Sequence, residues 1–360
     1  MSYVYGLLSI ALGLVLVVGL HEAGHALAAR LFRVRIKRIA IGFGKPLWAK
    51  KSSGGIEWVW ALWPLGGYVL LLNTRHHPVK PEDIPFCFDK KPVWQRIIIL
   101  AAGAFANIVI AAGAFFIIHS VGFKSTMPVI ADVKPNTIAA QAGLHKAERL
   151  LSISGQAVNS WREVSMTVMK NLGNKQVKIT VVNREGEQKT TDLNLSRWDY
   201  NKNSNTVFKF IGIKPDLDKH HQSQIPGKSL QESLCLAMTQ LYQLTTFYLI
   251  LIKHLITGIL PITVLLGPIG LFSEMIASFA HGLLVFVFFI GNLSLAVAVL
   301  NLLPIPGLDG GLIMYTLYEK IRGKPVSVAM ELLLYRLALI AFFVFLIQLL
   351  MNDLQRYLQS

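Results

Sequence analysis

A long apolar stretch that ends in two histidines and a glutamate constrains this chain more than any other feature. Residues 3 to 20 are almost wholly apolar, and they run directly into His21-Glu22-Ala23-Gly24-His25. Because lipid offers backbone groups no hydrogen-bond partners, the stretch is predicted to be a membrane-spanning helix, roughly Val4 to Leu31. Ionisable side chains are costly at membrane depth and are usually functional there.

The five residues follow the pattern H-E-x-x-H. On a helix, positions i and i+4 lie one turn apart on the same face, so His21 and His25 can bind one zinc ion together. Glu22 then lies beside the ion as the general base for a water molecule. So short a pattern also arises by chance, and the alternative is that these residues are only the polar end of a membrane anchor.

The composition is typical of a polytopic membrane protein. Hydrophobic residues make up 53% of the 360 residues and charged residues only 15%, whereas charged residues form about a quarter of a soluble protein. The net charge is +15, and basic residues cluster after the first span, between residues 30 and 51. The positive-inside rule makes that loop cytoplasmic and places the N-terminus outside. No basic patch interleaved with aromatic residues occurs, so nucleic acid is not an expected partner.

Two further features narrow the class. Cys87 and Cys235 lie far apart in unlike contexts, so neither a disulfide framework nor a cysteine zinc site is expected. The N-terminal apolar stretch lacks the basic start and the small-residue cleavage site of a signal peptide. We therefore expect a retained first span.

The hydropathy pattern predicts a membrane core that is interrupted by one soluble insertion. Residues 1–122 and 282–360 are expected to form the two parts of the core, residues 123–216 a soluble domain, and residues 217–281 a linker with an amphipathic helix. The four predicted spans are Val4 to Leu31, about Trp94 to Val121, Gly282 to about Leu303, and about Met330 to Met351. The glycine-rich segment 34–72 is predicted to form cytoplasmic or membrane-dipping β-hairpins. The pattern leaves open whether residues 241–266 cross the membrane, lie on it or dip into it.

A third metal ligand is expected at the inner end of the third span. Catalytic zinc sites use three protein ligands and keep one position open, so two histidines leave the site incomplete. Asp309 stands alone among small and apolar residues in the segment Asn301-Leu302-Leu303-Pro304-Ile305-Pro306-Gly307-Leu308-Asp309-Gly310-Gly311. By topology this segment reaches the same membrane depth as His21 and His25. The alternative is that Asp309 is a helix N-cap in a cytoplasmic turn.

The two motifs together resemble the site-2 protease family of intramembrane metalloproteases, and most closely its bacterial regulator-of-sigma-E type. The resemblance extends over nearly the whole chain. Further matching segments are Gly66-Gly67-Tyr68-Val69, residues 88–96, Ala102-Gly103 with Asn107, Gly267-Pro268-Ile269-Gly270, and residues 319–327. Three positions depart from the family pattern, namely Ala104, Ala147-Glu148 and Leu312. None is a proposed ligand, although Leu312 removes a polar group near Asp309.

The soluble region resembles a PDZ domain of the bacterial protease-associated type. The matching residues are Pro128-Val129-Ile130, Pro135, Ala139, Ala142-Gly143-Leu144 and Ile153-Ser154-Gly155. The resemblance implies one PDZ-like domain outside the cytoplasm, which would bind peptide C-termini or exclude bulky ectodomains by size. The expected fold is thus a polytopic α-helical membrane protein with four transmembrane helices, a membrane-associated β segment and one inserted extracytoplasmic PDZ-like domain.

The resemblance implies an intramembrane zinc endopeptidase of a bacterial inner membrane, with its active site toward the cytoplasm. One Zn²⁺ per chain would be held by His21, His25 and Asp309, with Glu22 as the catalytic base. Single-span membrane proteins, such as anti-sigma factors already cut outside, and remnant signal peptides are the expected substrates.

Three residues are expected to contact substrate. Gly66 and Gly67 would let a strand edge pair with the extended peptide. Asn301 would hold the substrate backbone or the oxyanion, or else make an ordinary interhelical hydrogen bond.

Two other functions compete with proteolysis. A non-proteolytic PDZ-containing membrane adaptor would have no need of all four active-site groups, which are present here. A metal transporter would need several acidic or histidine groups lining more than one span, whereas His119, His254 and His281 are scattered.

Overall fold

A computed structural model describes residues 2–52, 54–75, 78–196 and 207–359. The chain divides into two compact units, one formed by residues 1–116 and 267–360 and the other by residues 117–266. All residues expected to hold metal or contact substrate in the membrane belong to the first unit.

The first unit begins with one long helical segment in three parts. Helix α1 covers Ser2–Leu14, a π-helical turn covers Val15–Gly19, and helix α2 covers Leu20–Leu31. π-Helical turns are rare and often occur at functional sites. Here the turn comes just before the first histidine, so it changes the rotation of α2 about its axis relative to α1.

Two long strands follow within the glycine-rich segment, β1 at Ile36–Lys51 and β2 at Glu57–Leu71. Residues 38–41 of β1 pair with residues 67–70 on one side and with residues 57–60 on the other. The strands fold back because glycines accept positive φ, as at Gly42 and Gly66. The strands lie within residues 34–72, where the sequence predicts hairpins.

The remaining helices of the first unit carry most of its apolar surface. They are α3 at Val93–Val121, which continues into the second unit, α8 at Pro268–Ala280, α9 at Leu283–Asn301, α10 at Asp309–Arg322 and α11 at Val328–Gln359. Short 3₁₀ turns lie at Pro81–Phe86 and Phe88–Lys90, and another at Ile262–Val264 belongs to the second unit. Helix α11 continues beyond the predicted end at Met351. Its polar residues Asn352 and Asp353 are buried, and Asp353 accepts hydrogen bonds from the backbone N–H groups of Gly267 (2.8 Å) and Gly270 (3.0 Å).

Small residues let these helices approach closely, as is common in membrane proteins. A Cβ atom on Gly24 of α2 would lie 2.4 Å from the carbonyl oxygen of Ala102 in α3. A Cβ atom on Gly291 of α9 would lie 2.8 Å from the Cβ of Ala114 in α3. Helix α3 therefore packs tightly against both α2 and α9.

Within the described residues, six helical segments are long and apolar enough to cross a membrane. They are Val4–Leu31, Val93–Val121, Leu230–Ile256, Ile262–Ala280, Leu283–Asn301 and Val328–Leu358. Four of them coincide with the four predicted spans. The other two lie within residues 217–281, where the sequence predicts a linker with an amphipathic helix and leaves residues 241–266 open, so the count of four spans stays a prediction.

The second unit contains a small α/β core. Its elements are β3 at Gly122–Thr126, β4 at Ile130–Val133, α4 at Ile138–Gln141, β5 at Arg149–Ile153, β6 at Gln156–Ala157, α5 at Trp161–Lys170, β7 at Val177–Val182, β8 at Gln188–Leu193, α6 at Val207–Ile211, β9 at Ile213–Pro215, a 3₁₀ turn at Lys219–His221, β10 at Gln222–Pro226 and α7 at Leu230–Ile256. Four strands form a sheet in the order β6-β5-β7-β8, while β4 pairs with β9 and β3 with β10. Alternate residues of β7, namely Val177, Ile179 and Val181, are buried in the core.

Helix α7 is longer than the sequence predicts. It starts at a capping box, in which Ser229 and Glu232 exchange side-chain and backbone hydrogen bonds. It continues through Lys253 and His254, which the apolar pattern marks as an interruption. Basic residues in a last turn are favourable because they face the negative end of the helix dipole.

Candidate active site

Helix α2 places the three residues of the H-E-x-x-H pattern inside the first unit. His21, Glu22 and His25 are 7%, 6% and 8% exposed. The two imidazole rings lie edge to face, with 3.2 Å between their Nε2 atoms. The sequence spacing of four residues thus brings both Nε2 atoms to one point, as expected for a helix.

The segment after α9 brings Asp309 to the same point. Its Oδ2 atom lies 3.3 Å from Nε2 of His21 and 3.3 Å from Nε2 of His25. Leu308 holds the N-cap position of α10, so Asp309 does not act as the cap. The Oδ2 atom is buried and makes no hydrogen bond within the described structure.

The spacing of the three donor atoms fits a zinc ion. Two ligands at about 2.0–2.1 Å from a tetrahedral ion are about 3.3 Å apart, and the three donors here are 3.2, 3.3 and 3.3 Å apart. Two imidazole nitrogens and one carboxylate oxygen form a typical catalytic zinc set that leaves the fourth position open. Within the described part of the chain, this is the one group of three such side chains found close enough to share an ion.

Helix α3 contacts the Nδ1 atoms of both imidazole rings, which are the outer nitrogens that point away from Asp309. Nδ1 of His25 lies 2.8 Å from the carbonyl oxygen of Ile99, and Nδ1 of His21 lies 3.3 Å from the side-chain amide of Asn107. Asn107 is fully buried. Sequence reasoning assigned no role to Ile99 or Asn107, although Asn107 belongs to a segment that resembles the family.

Gly103 lies between these two contacts and faces the rings directly. A Cβ atom there would lie 2.3 Å from Nε2 of His25 and 2.8 Å from Nε2 of His21. No other residue type can occupy this position without displacing the rings. The signal in the sequence is the spacing of Ile99, Gly103 and Asn107, which are four residues apart and therefore share one helix face.

Strand β2 passes next to Glu22. A Cβ atom on Gly67 would lie 2.9 Å from Cγ of Glu22 and 2.8 Å from the carbonyl oxygen of Ala40. The backbone of Val69 lies within reach of the Glu22 carboxylate. Gly66 has a φ of 146°, which a side chain would disfavour. The glycines thus let a strand backbone approach the catalytic helix.

Asn301 is the last residue of α9 and is half-buried. Its side chain makes no hydrogen bond among the described residues, so the interhelical bond considered as an alternative is not seen. Asn301 is not part of the three-donor cluster.

The scattered histidines remain apart from the donor cluster. His119 contacts Gln240 at 2.9 Å, and His254 lies next to the Lys170 carbonyl. Neither belongs to a group of metal-binding side chains in the described structure.

Comparison with known proteins supports the same chemistry. A model of Peptidase family M50 matches residues 9–346. The regulator of sigma E protease of Haemophilus influenzae is 28% identical, with 94% of this chain and 96% of the relative covered. The regulator of sigma-E protease RseP of Escherichia coli K12 is 26% identical over 99% of this chain and all of the relative. A putative zinc metalloprotease of Pasteurella multocida is 27% identical over 94% of this chain and 96% of the relative.

Proposed function

Since this chain belongs to Peptidase family M50 and is a zinc metalloendopeptidase of a membrane, we propose that it cleaves the transmembrane segments of single-span proteins. The observation that carries this proposal is the cluster of three donor atoms, 3.2–3.3 Å apart, with Glu22 on the same helix. Zinc held by His21, His25 and Asp309 would supply a Lewis acid that polarises the scissile carbonyl and acidifies water.

Glu22 does the proton transfer in this proposal. Its carboxylate takes a proton from the attacking water and passes it to the amine that leaves. The buried position of Glu22 keeps bulk water from competing for that proton. The close approach of Gly67 fixes the carboxylate against the strand backbone.

The strand edge next to Glu22 is the proposed substrate platform. The backbone carbonyls of a transmembrane helix are engaged in hydrogen bonds within the helix, so the substrate must become extended before a carbonyl can be attacked. Residues 67–70 pair with residues 38–41 of β1. In this proposal an extended peptide adds as a strand along the edge of β2 at Gly66 and Gly67. Asn301, with no partner of its own among the described residues, would hold the peptide backbone or the oxyanion.

The soluble core is proposed to act outside the membrane as a single PDZ-like filter, over residues 123–216. The alignment with the relative from Haemophilus influenzae extends over 424 positions although this chain has 360 residues, so that relative contains stretches with no counterpart here. The basic loops after the first span and before the last one support a cytoplasmic active site in a bacterial inner membrane.

The names of the relatives suggest the substrate class. Several relatives are regulators of sigma E, so anti-sigma-factor-like proteins already cut outside are proposed substrates, together with remnant signal peptides. In both cases a short stub replaces a bulky ectodomain. Such a stub would pass a size filter, or would present a C-terminus to the PDZ-like domain.

Glu22→Gln tests the proposal in cells that carry a tagged single-span candidate substrate. We expect cleavage to fall by about 10²–10⁴-fold because the amide cannot accept the proton, while zinc stays bound. The control is His21→Ala, which should lose both zinc and cleavage. Continued cleavage by the Glu22→Gln protein would remove Glu22 from the mechanism and leave the adaptor hypothesis to be tested by partner capture.

A further inference from the structure

One face of α3 touches both histidines through their outer nitrogens. Ile99, Gly103 and Asn107 are spaced by four residues along that face. Ile99 contacts His25, Asn107 contacts His21, and Gly103 leaves room for both rings. The two ring contacts differ in kind, because one partner is a backbone carbonyl and the other is a side-chain amide.

The carbonyl of Ile99 fixes the proton on His25. A carbonyl oxygen can only accept, so the Nδ1 atom at 2.8 Å must carry the hydrogen. The Nε2 atom of His25 then presents its lone pair toward Asp309 and His21. His25 is held in the form that binds a metal ion, and no side chain is needed for this.

The amide of Asn107 has two possible orientations opposite His21. With its nitrogen facing Nδ1 at 3.3 Å, the amide donates, and the ring proton must lie on Nε2, where it blocks a cation. In that orientation the amide oxygen is buried without a hydrogen-bond partner. Amide oxygen and nitrogen exchange places by rotation of the side-chain terminus, and the hydrogen-bond network decides between them.

The opposite orientation gives the buried amide oxygen a partner. The oxygen then accepts from Nδ1–H of His21, and Nε2 of His21 is free to ligate an ion. We propose that Asn107 is a positioning residue, whose amide oxygen holds His21 in the tautomer and ring orientation that bind zinc. This inference rests on the proposed ligands His21, His25 and Asp309. Groups in this position typically contribute about 10–100-fold to metal affinity.

Two substitutions of Asn107 test separately the hydrogen-bond acceptor and the volume of the side chain. Asn107→Asp keeps an oxygen that accepts from Nδ1–H, whereas Asn107→Leu has a similar size and no acceptor. Zinc affinity is measured on the full-length protein in detergent by competition with a chromogenic chelator. We expect Asn107→Leu to lower the affinity by about 10–100-fold and Asn107→Asp to keep the wild-type value. Ser294→Ala, which removes a buried polar group from α9 instead, should leave the affinity unchanged.

Thermal unfolding distinguishes positioning from a general role in folding. The rise in melting temperature on adding zinc reports affinity for the folded state. A merely structural Asn107 would lower the melting temperatures of the zinc-free and zinc-bound proteins equally. A positioning Asn107 makes the zinc-induced rise smaller in Asn107→Leu and leaves it intact in Asn107→Asp.

The inference is overturned if Asn107→Leu binds zinc as tightly as the wild type, or if both substitutions weaken binding equally. His21→Ala is measured beside them. If the His21→Ala protein retains stoichiometric zinc, the proposed ligand set is wrong, and the proposed role of Asn107 is wrong as well. If His21→Ala loses zinc while Asn107→Leu keeps it, only the role of Asn107 is wrong.

Discussion

Gly103 shows how one missing side chain shapes the site. We expect Gly103→Ala to weaken zinc binding by at least about 10-fold, because its Cβ would lie 2.3 Å from Nε2 of His25 and must push the ring aside. Activity should fall in parallel. Zinc content and cleavage of a single-span substrate are the measurements.

The same helix offers a matched control. A Cβ atom on Gly113 would meet no other atom within 4 Å, so Gly113→Ala should leave zinc binding unchanged. Alanine favours a helix over glycine by about 1 kcal/mol in water, so no loss of stability is expected either. Equal effects of the two substitutions would show that α3 tolerates no added methyl group anywhere, and the argument from the rings would fail.

The sequence predicts that His21, His25 and Asp309 lie close together, as they do in the structure, but it does not predict the residues that hold their rings in place. His21 and His25 follow from helical spacing, and Asp309 follows from a lone acidic residue at matching depth. The contact of His25 with the Ile99 carbonyl has no sequence signal, because every residue carries a carbonyl. The sequence marks Asn107 only as an amide within an apolar helix. Its contact with His21 can be seen only when α2 and α3 are packed together.

The strand beside α2 is expected to affect catalysis without affecting the metal. In Gly67→Ala, the new methyl group would lie 2.9 Å from Cγ of Glu22. We therefore expect activity to fall by about 10-fold or more, as when a general base is misplaced, while zinc stays stoichiometric. Cleavage assays and zinc analysis on the same preparation check this.

Gly54 provides the control for the hairpin. Nothing lies within 4 Å of a Cβ atom at Gly54, so Gly54→Ala should behave as the wild type. Loss of zinc in Gly67→Ala would mean that the strand supports the ligands rather than Glu22.

A buried ion pair joins two elements that frame the site. Nη1 of Arg96, at the start of α3, lies 2.9 and 3.0 Å from the carboxylate oxygens of Glu319 in α10. The side chains are 7% and 25% exposed. Arg96→Leu leaves the carboxylate without its partner and should lower the free energy of unfolding by about 2–3 kcal/mol, since Glu319 keeps some solvent contact.

The double variant Arg96→Met with Glu319→Met tests whether the loss of stability in Arg96→Leu comes from the unpaired charge of Glu319. Two apolar side chains of similar size should recover much of the stability, because neither charge is then buried alone. Denaturation in detergent measures the free energy of unfolding of the wild type and of both variants. If the double variant is as unstable as Arg96→Leu, packing rather than charge explains the loss.

At the scale of the whole molecule, the direction of the helices constrains the number of crossings. Helix α3 runs from the donor cluster, near Ile99, toward Phe115, which packs against Phe288 of α9. Helix α9 runs back from there toward Asp309. Phe115 of α3 and the start of α9 therefore lie on the side of the first unit away from the donor cluster. We accordingly expect the segments between the two helices to cross the membrane an even number of times.

An even number of crossings requires that α7 and α8 either both cross or both stay on one side. The apolar segment Ile262–Ala280 consists of a 3₁₀ turn at Ile262–Val264 and helix α8, which starts at Pro268. Helix α8 alone has 13 residues, about 20 Å, which is shorter than the hydrocarbon core of about 30 Å. We therefore expect that neither crosses. In a chain without its two native cysteines, single cysteines at Lys124, Gly258 and Gly282 should react with an impermeant reagent from outside the cell.

A cysteine at Lys324 is the control for the opposite side and should react only after the cells are opened. Labelling of Gly258 from inside, with Lys124 and Gly282 still labelled from outside, would show six crossings. The sequence could not decide this point. The sequence shows that Leu230–Ile256 is apolar and long enough to be a span. It does not show that α8 starts only at Pro268 and is therefore short.

The separation of the donors along the chain has a consequence for biogenesis. His21 and His25 are synthesised before the whole of the second unit, whereas Asp309 is synthesised after it. If these three residues hold zinc, a nascent chain lacks its third donor until the segment after α9 has been made. We therefore expect proteolytic activity to appear only with the last part of synthesis.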